Sequence, residues 1–337
     1  MDPDSVDGVE RVPHGSSDDP DVLDLSANIN PQVPEGSRRV HRDAFDAARS
    51  YPNDGYPAFR AAAADYVGCD PESVVPTAGG LAAMRLAVGV TVSPGDRVLV
   101  PAPSFGEYVR EVELAGGEAA VVPSGELLDH DPGEFAMAVV CTPNNPTGEL
   151  YPASELRAFA ERCASAGTVL LADEAFLGFT DRDSLAGNPA VVVARSLTKL
   201  FGLPGLRAGF AVANGHLGDR LRTARPAWSV GGPAAAVGAH AMRDSAFVER
   251  TRRRVARERE FLRAELEARG VCVHPSEAPF VLCDVGESPE ELLDACRDRG
   301  VVLRDATTFR GLDRHVRVAV RDRAATERLC AVLDEIR

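Results

Sequence analysis

The feature that most limits what this chain can fold into is the alternation of short apolar runs with longer amphipathic segments. The apolar runs are rich in β-branched residues, and segments such as SELRAFAERCASAG (154–167) carry a helical pattern. Buried strands that alternate with helices predict an α/β fold, in which helices cover both faces of a mostly parallel sheet. Functional groups of such sheets lie in the loops after the carboxyl ends of the strands. The runs predicted as strands are DRVLVPAP (96–103), AMAVVCTP (136–143), TVLLADEA (168–175), AVVVARS (190–196) and AGFAVA (208–213).

The pattern changes near residue 225, where RPAWSVGGPAAAV leads into an arginine-rich helical stretch at 233–269. Two strand-like runs and two further helical patterns follow, which indicates a smaller α+β domain. The strand-like runs are APFVLCDV (278–285) and HVRVAV (315–320), and the helical patterns lie at 288–299 and 323–335. We therefore predict an N-terminal arm with part of the small domain at 1–45, a large domain at 46–225 and a small C-terminal domain at 226–337.

Charge and composition restrict the partners and the location of the protein. The formal net charge of −14 argues against nucleic acid and anionic membranes as partners. No apolar run reaches the roughly 18 residues of a membrane span, and the acidic N-terminus lacks the apolar core of a secretory signal. We expect a cytoplasmic protein whose N-terminal arm is mobile up to about residue 14. The cysteines and histidines show no metal-binding spacing, so no metal is predicted.

The segment ARSLTKLFGLPGLRAGF (194–210) holds Lys199, the only lysine among 37 basic residues. One interpretation is that a single lysine survived a general replacement by arginine. Its position after a buried strand and before a Gly/Pro-rich loop favours a functional role instead. Arginine stays protonated, whereas a desolvated lysine can lose its proton and attack a carbonyl. The sequence therefore predicts covalent chemistry at Lys199.

Several groups near this lysine are suited to hold a phosphate. Ser196 lies three residues before Lys199, and Arg207 lies eight residues after it. The segment TAGGLAAM (77–84) places glycines directly before a helical pattern, where backbone N–H groups and the helix dipole can bind an anion. An ordinary glycine turn is the alternative for that segment.

Three further residues follow predicted strands. Asp173 ends the apolar run VLLAD, where a charge is costly unless paired, either with an arginine or with a pyridinium N–H. Asn145 in CTPNNPTGEL is either a plain turn residue or an amide donor to a cofactor oxygen. Phe105 in PAPSFGEY either stacks on a cofactor ring or belongs to the core.

In this order, FGEY, CTPNNPTG, DEAF and SLTKLFGLPGLRAGF resemble the fold-type I, aspartate-aminotransferase-like superfamily of pyridoxal-phosphate enzymes. The resemblance runs from about residue 12 to the C-terminus and implies pyridoxal 5′-phosphate bound covalently to Lys199. It implies a homodimer with shared active sites, because Tyr51 in SYPNDGY matches a tyrosine that reaches the neighbouring subunit's cofactor phosphate. The implied cofactor contacts are Asp173 with the pyridine nitrogen, Asn145 with the ring oxygen, Phe105 by stacking, and Ser196, Arg207 and the amides of Gly80 and Leu81 with the phosphate.

Within this superfamily the chain is similar to two groups, the L-threonine-O-3-phosphate decarboxylases of cobalamin synthesis and the histidinol-phosphate aminotransferases. The opening HGS…LDLSANINP, the segment WSV at 228–230 and the segment LRDATTFRGLD resemble the decarboxylases. Phe176 in DEAF stands where aminotransferases usually carry a tyrosine. Departures from the decarboxylase pattern are HGS for HGG, GGP after WSV, and TTFRGL. These features favour the decarboxylase, with the aminotransferase as the alternative.

The decarboxylase resemblance implies conversion of L-threonine O-3-phosphate to (R)-1-amino-2-propanol O-2-phosphate and CO2. It implies that His14, Asn28 and Arg304 bind the substrate phosphate and that Arg317 binds the carboxylate. The alternative for the two arginines is salt bridging on an acidic surface. A non-catalytic regulator with this fold is a remote alternative, since no helix-turn-helix pattern precedes the fold.

Overall fold

A computed structural model of the protein describes residues 1–336. The strands are β1 (Leu23–Asp24), β2 (Val74–Thr77), β3 (Arg97–Ala102), β4 (Glu118–Pro123), β5 (Met137–Cys141), β6 (Val169–Asp173), β7 (Val191–Ser196), β8 (Gly209–Val212), β9 (Cys272–Val273), β10 (Phe280–Asp284), β11 (Val301–Val302), β12 (Arg304–Asp305) and β13 (His315–Ala319). The α-helices are α1 (Ser37–Asp43), α2 (Pro57–Val67), α3 (Gly80–Thr91), α4 (Glu107–Leu114), α5 (Ala153–Ala166), α6 (Gly215–Ala224), α7 (Gly232–Met242), α8 (Ser245–Ala268), α9 (Glu290–Arg297) and α10 (Arg323–Ile336).

The larger sheet has seven strands in the order β2-β8-β7-β6-β5-β3-β4. All neighbouring pairs are parallel except those of β8, which is antiparallel to both β2 and β7. All five strands predicted from apolar runs are confirmed. β2 and the half-buried edge strand β4 were not predicted, because the first is a short run of four residues and the second is rich in alanine. The α/β fold with a mostly parallel sheet is therefore confirmed.

Helices cover both faces of this sheet, and successive strand residues point to opposite sides. In β3, Val98 and Val100 pack with α3, α4 and α6, whereas Leu99 packs on the other side with α2, α5 and α8. Burial on both faces explains why these strands are continuous apolar runs instead of alternating patterns. None of the helices between residues 1 and 336 combines the length and the apolar character that crossing a membrane requires.

The smaller sheet has four antiparallel strands in the order β12-β13-β10-β9, and β1 pairs separately with β11. Strands β10 and β13 and helices α9 and α10 confirm the predicted elements of this part. The helical stretch predicted at 233–269 is confirmed, but it consists of two helices, because the chain breaks between α7 and α8. The Asp244 carboxylate accepts a hydrogen bond of 2.8 Å from the Phe247 N–H, so it caps α8 and starts a new helix.

The N-terminal arm contacts the large sheet layer, and its expected mobility stays a prediction. Residues Pro3–Gly8 form a 3₁₀ turn, and the Asp2 N–H donates to the Leu114 carbonyl at 2.7 Å. The Arg110 Nε donates to the Glu10 carbonyl at 3.1 Å. Both contacts use backbone groups of the arm, so an acidic sequence without an apolar pattern gives no sign of them.

Candidate active site

The predicted cofactor residues converge on one edge of the large sheet. Phe105, Asn145, Asp173 and Lys199 follow or end the parallel strands β3, β5, β6 and β7, and Gly80 follows β2. A cavity of about 440 Å³ lies there. Twelve of the thirteen predicted site residues line it: His14, Asn28, Gly80, Leu81, Phe105, Asn145, Asp173, Ser196, Lys199, Arg207, Arg304 and Arg317. A larger groove of about 940 Å³ contains none of them.

Lys199 lies in the cavity in an environment that favours its neutral amine. Burial and, to a smaller extent, the positive charge of Arg317 lower the pKa of Lys199 from 10.5 to about 8, although the Asp173 carboxylate opposes both effects. A lysine with this pKa has a substantial neutral fraction near neutral pH, and the neutral form is the nucleophile. Covalent chemistry at Lys199 is therefore physically feasible.

An anion cradle forms at the start of α3. Gly79 has φ +96°, and a Cβ there would lie only 2.7 Å from the Arg207 Nη2, so the guanidinium packs directly on the bare backbone. A Cβ on Gly80 would lie 3.2 Å from the Ser196 Cβ. The first N–H groups of a helix have no acceptor within the helix and attract anions. Backbone amides, a hydroxyl and a guanidinium thus surround one small space, which fits a phosphate group.

Asp173 is buried and lies at the end of β6. The Tyr108 hydroxyl donates to its Oδ2 at 2.6 Å, and the Ala175 N–H donates to its Oδ1 at 3.0 Å. Burial raises the pKa of Asp173, while these donors and Lys199 lower it. The alternative of an Asp–Arg pair is wrong, because no arginine among residues 1–336 forms an ion pair with Asp173. A buried carboxylate that lines a cavity and forms no ion pair with an arginine fits a pyridinium nitrogen.

Tyr108 was not predicted as a site residue. It lies in the FGEY motif one helical turn beyond Phe105, and its ring meets the Phe105 ring edge-on at 5.6 Å. Its side chain is buried, so its hydroxyl needs a partner, and Asp173 provides one. The motif contained Tyr108, but only the fold brings α4 next to β6.

The amide of Asn145 is oriented by Arg317. The Arg317 Nη1 donates to the Asn145 Oδ1. Guanidinium groups only donate, so the amide oxygen faces Arg317 and the NH2 group faces away from it. Asn145 is therefore oriented to donate to an oxygen on a ligand in the cavity.

Arg304 and Arg317 are directly opposite each other in the antiparallel pair β12–β13. Both are buried, and neither forms an ion pair with a carboxylate among residues 1–336. Burial and the charge of Arg304 lower the pKa of Arg317 to about 9, and burial also lowers the pKa of Arg304. Like charges opposite each other on neighbouring strands are destabilising. The alternative of surface salt bridges is therefore wrong. The two arginines have no anionic partner in the described part of the chain, and the cavity has room for a ligand that carries anionic groups.

The N-terminal arm supplies the remaining wall of the cavity. Asn28 is buried and its Oδ1 has no hydrogen-bond partner, so this amide is available to a ligand. His14 is half-exposed, and its Nε2 lies 3.0 Å from the Glu107 Oε1. Glu107, a buried carboxylate at the start of α4, was not predicted.

The aromatic residues of the site differ in position. Phe105 lies in the cavity wall beside His14, with ring centroids 5.8 Å apart, and it also packs against the apolar core on one face of the large sheet. Phe176 is buried in the opposite wall, where it meets the Phe280 ring at 5.1 Å. Tyr51 does not line the cavity of its own chain. Its side chain is 79% exposed and stacks on Trp228, with ring centroids 4.4 Å apart.

Comparison with known proteins agrees with this fold and site. Residues 20–333 match the family Aminotransferase class I and II. The chain therefore belongs to the aminotransferase class I and II family, which consists of pyridoxal-phosphate enzymes. Pyridoxal phosphate is its cofactor, and the anion cradle, Asp173 and Lys199 are chemically suited to hold it.

Curated relatives fall into both groups considered above. Histidinol-phosphate aminotransferase of Symbiobacterium thermophilum is 36% identical, over 94% of this chain and 91% of that protein. Histidinol-phosphate aminotransferase of Halobacterium salinarum is 32% identical, over 98% of this chain and 95% of that protein. Threonine-phosphate decarboxylase of Salmonella typhimurium is 32% identical, over 94% and 91%. More of the similar proteins are aminotransferases, so these comparisons favour the aminotransferase alternative over the decarboxylase.

Solved structures agree on the fold alone. The histidinol-phosphate aminotransferase of Clostridium acetobutylicum has a TM-score of 0.86 at 22% identity, with 94% of this chain and 99% of that chain covered. The histidinol-phosphate aminotransferase of Sinorhizobium meliloti, in complex with pyridoxal-5′-phosphate, has a TM-score of 0.83 at 21% identity, with 92% of this chain and 90% of that chain covered. The L-threonine-O-3-phosphate decarboxylase of Porphyromonas gingivalis has a TM-score of 0.85 at 24% identity over 94% and 99%.

Proposed function

We propose that this enzyme decarboxylates L-threonine O-3-phosphate to (R)-1-amino-2-propanol O-2-phosphate and CO2, a step of cobalamin biosynthesis. The observation that carries the proposal is the pair of buried arginines, Arg304 and Arg317, opposite each other without carboxylate partners. A substrate with a carboxylate and a phosphate supplies one anion to each. Asn28 and His14 line the same cavity as Arg304, and the amide NH2 group of Asn28 and a ring N–H of His14 are donors of the kind that a phosphate with several acceptor oxygens requires.

Under this proposal the residues divide the work as follows. When bound, pyridoxal phosphate serves as the sink for the electron pair released at the substrate Cα. Arg317 binds the carboxylate, and this orientation selects the bond between Cα and the carboxylate for cleavage. Asp173 holds a proton on the pyridine nitrogen, and Asn145 donates to the ring oxygen. Lys199 exchanges a proton near neutral pH, so its Nζ is suited to return one to Cα after CO2 leaves.

The binding of the phosphate enforces this orientation. Arg304, Asn28 and His14 line the cavity together with residues 12–16 of the arm, and under this proposal they bind the phosphate and not the carboxylate. Binding energy from such a remote group can orient the reacting bond without acting on it chemically. A substrate without the phosphate should therefore lose turnover as well as affinity.

Histidinol-phosphate aminotransferase is the second candidate, and the greater number of similar aminotransferases favours it. The cavity is compatible with that reaction, because the two arginines would also suit 2-oxoglutarate, which carries two carboxylates. Phe176 favours the decarboxylase, since it provides no hydroxyl at the position where aminotransferases usually carry a tyrosine.

One experiment distinguishes the two reactions. The purified holoenzyme is incubated with L-threonine O-3-phosphate, and separately with histidinol phosphate plus 2-oxoglutarate, and CO2 and glutamate are measured in both. We expect CO2 from the first mixture and no glutamate from the second. Glutamate without CO2 would assign the aminotransferase reaction and overturn the proposal.

A matched pair of variants tests the role of the arginines. Arg304→Gln removes one buried cation of the cavity, and we expect KM for the phosphorylated substrate to rise about tenfold or more. Arg314→Gln is the control, because Arg314 lies just before β13 but is exposed and pairs with Asp284. An equal effect of both variants would contradict a phosphate site at Arg304.

We also infer that two copies of the chain form a homodimer with shared active sites. Tyr51 lies outside the cavity of its own chain and is exposed with Trp228, so it is available to a neighbouring subunit. Exposed stacked aromatic residues are typical of protein interfaces.

A further inference from the structure

The N-terminal arm crosses the cavity from one sheet to the other. It contacts α4 of the large sheet layer through the backbone of Asp2 and Glu10. On the other side, the Arg304 Nη2 donates to the Pro13 carbonyl at 2.7 Å. Gly15 packs so closely that a Cβ would lie 2.8 Å from the Arg304 Cδ and 2.9 Å from the Ser26 carbonyl oxygen. His14 therefore lies at the cavity between Pro13 and Gly15, both of which are held against Arg304.

The side chain of His14 forms a hydrogen bond with Glu107, which is more deeply buried than His14 itself. Glu107 lies in the first turn of α4, is buried, and forms a second ion pair with Arg110 at 3.4 Å. His14 is half-exposed and lies in a segment without regular secondary structure. The charged group in contact with this imidazole is Glu107 of α4; Arg110 pairs with Glu107 on the same helix, and Arg304 of β12 donates to the carbonyl of the preceding residue, Pro13. A free imidazole at this point would occupy several rotamers, and ordering it costs conformational entropy.

We propose that Glu107 is a positioning residue, which fixes His14 of the arm over the cavity so that the arm forms a preorganised wall of the substrate-phosphate site. This rests on the proposed function in one respect, namely that the substrate carries a phosphate that contacts His14. Glu107 itself does not line the cavity. It acts through His14, and preorganisation of this kind lowers the cost of binding.

A purely structural role for Glu107 makes a different prediction. Glu107 could simply stabilise the start of α4 and pair with Arg110. Its loss would then reduce the stability of the fold, and any effect on KM would be the same whether or not His14 is present. The two roles are separated by a double-mutant cycle between Glu107→Gln and His14→Ala, because residues that act through one another are not additive. Glutamine keeps the shape of the side chain, so the fold should survive, but it removes the negative charge that strengthens the hydrogen bond to His14.

The kinetic experiment measures KM and kcat of the holoenzyme for L-threonine O-3-phosphate. We expect Glu107→Gln and His14→Ala each to raise KM by about tenfold, with kcat changed less than about twofold. The double variant should be no worse than His14→Ala alone. A full effect of Glu107→Gln in the His14→Ala background would overturn the proposal.

Glu111→Gln is the matched control. Glu111 lies one turn along α4, is equally buried and shares Arg110, but its main partner is Arg85 at 2.5 Å and it does not contact His14. We expect this variant to lower the melting temperature without raising KM. A rise in KM equal to that of Glu107→Gln would show that the effect comes from α4 as a whole and would overturn the proposal.

The position of the arm can be measured without turnover. Trypsin cleaves after Arg11, an exposed residue of the arm, and release of the peptide 1–11 is followed by mass spectrometry. We expect release about tenfold faster in Glu107→Gln than in the wild type and Glu111→Gln. Equal rates would overturn the proposal. Faster release in an enzyme that does not decarboxylate threonine phosphate would refute the proposed substrate and leave the positioning role of Glu107 supported.

Discussion

At the scale of single residues, the chemistry of the site depends on an unusual balance of charge. Lys199 lies beside the cation Arg317 and the anion Asp173, in a cavity that disfavours charge. Arginine at this position would stay protonated, since its pKa lies far above any physiological pH. This explains why a chain that uses arginine elsewhere retains one lysine.

The single lysine allows its titration to be followed directly. In the protein freed of pyridoxal phosphate, the rate at which an amine reagent labels Lys199 should rise with pH and reach half its maximum near pH 8. The sign follows because only the neutral amine reacts, and burial and Arg317 both favour the neutral form. Labelling is measured by mass spectrometry of the peptide that contains Lys199.

The charge contribution can be tested with one substitution. Arg317→Gln removes a positive charge that lowers the pKa of Lys199, so the midpoint of labelling should move to higher pH. Arg314→Gln, which changes an exposed arginine outside the cavity, should leave the midpoint where it is. An unchanged midpoint in Arg317→Gln would show that the charge of Arg317 does not contribute to the pKa of Lys199.

At the scale of elements, the start of α3 is a site made almost entirely of backbone. Gly79 adopts a left-handed φ and leaves no space for a Cβ beside Arg207. Arg207 itself has φ +50°, a conformation that non-glycine residues rarely adopt. The two residues pack against each other around the proposed phosphate position. Backbone strain of this kind is typical of ligand-binding sites.

We expect Gly79→Ala to weaken retention of pyridoxal phosphate by at least about tenfold, because the new methyl group displaces the Arg207 guanidinium. Retention is measured by the visible absorbance that remains after dialysis. Gly95→Ala is the control, since Gly95 also has a left-handed φ, of +83°, but has open space around it. Both variants should lose about 1–2 kcal/mol from backbone strain, and only Gly79→Ala should lose cofactor. Equal cofactor loss in both would contradict the cradle.

At the scale of the whole molecule, the proposed dimer makes each active site depend on two chains. Tyr51 and Lys199 would then serve different sites when they belong to the same chain. Tyr51 is 79% exposed and stacks on the exposed Trp228, outside the cavity of its own subunit. This arrangement allows complementation between two defective variants.

We expect Lys199→Arg to be inactive and Tyr51→Ala to be impaired, and we expect activity to be recovered when the two are unfolded and refolded together. A hybrid dimer contains one site with both Lys199 and Tyr51, so its turnover should exceed that of either variant alone. Refolding each variant separately is the control. Recovery no greater than the sum of the separate activities would refute shared active sites.

The sequence by itself determined the parts of this protein that depend on local pattern. Buried β-branched runs indicated five strands of the large sheet, because a strand covered on both faces carries apolar residues at successive positions instead of alternating with polar ones. Positions after those strands indicated Asn145, Asp173 and Lys199, because parallel strands end at one edge. The resemblance to a known superfamily added Arg304 and Arg317, which spacing could not have paired.

Only the tertiary structure decided which of these groups face one another. The Tyr108–Asp173 hydrogen bond, the Arg304–Arg317 opposition and the contact of His14 with Glu107 join segments far apart in sequence. The break before α8 and the docking of the acidic arm also depended on single polar contacts. Such contacts leave no periodic pattern in a chain, because they arise only when packing brings separate elements within hydrogen-bond distance.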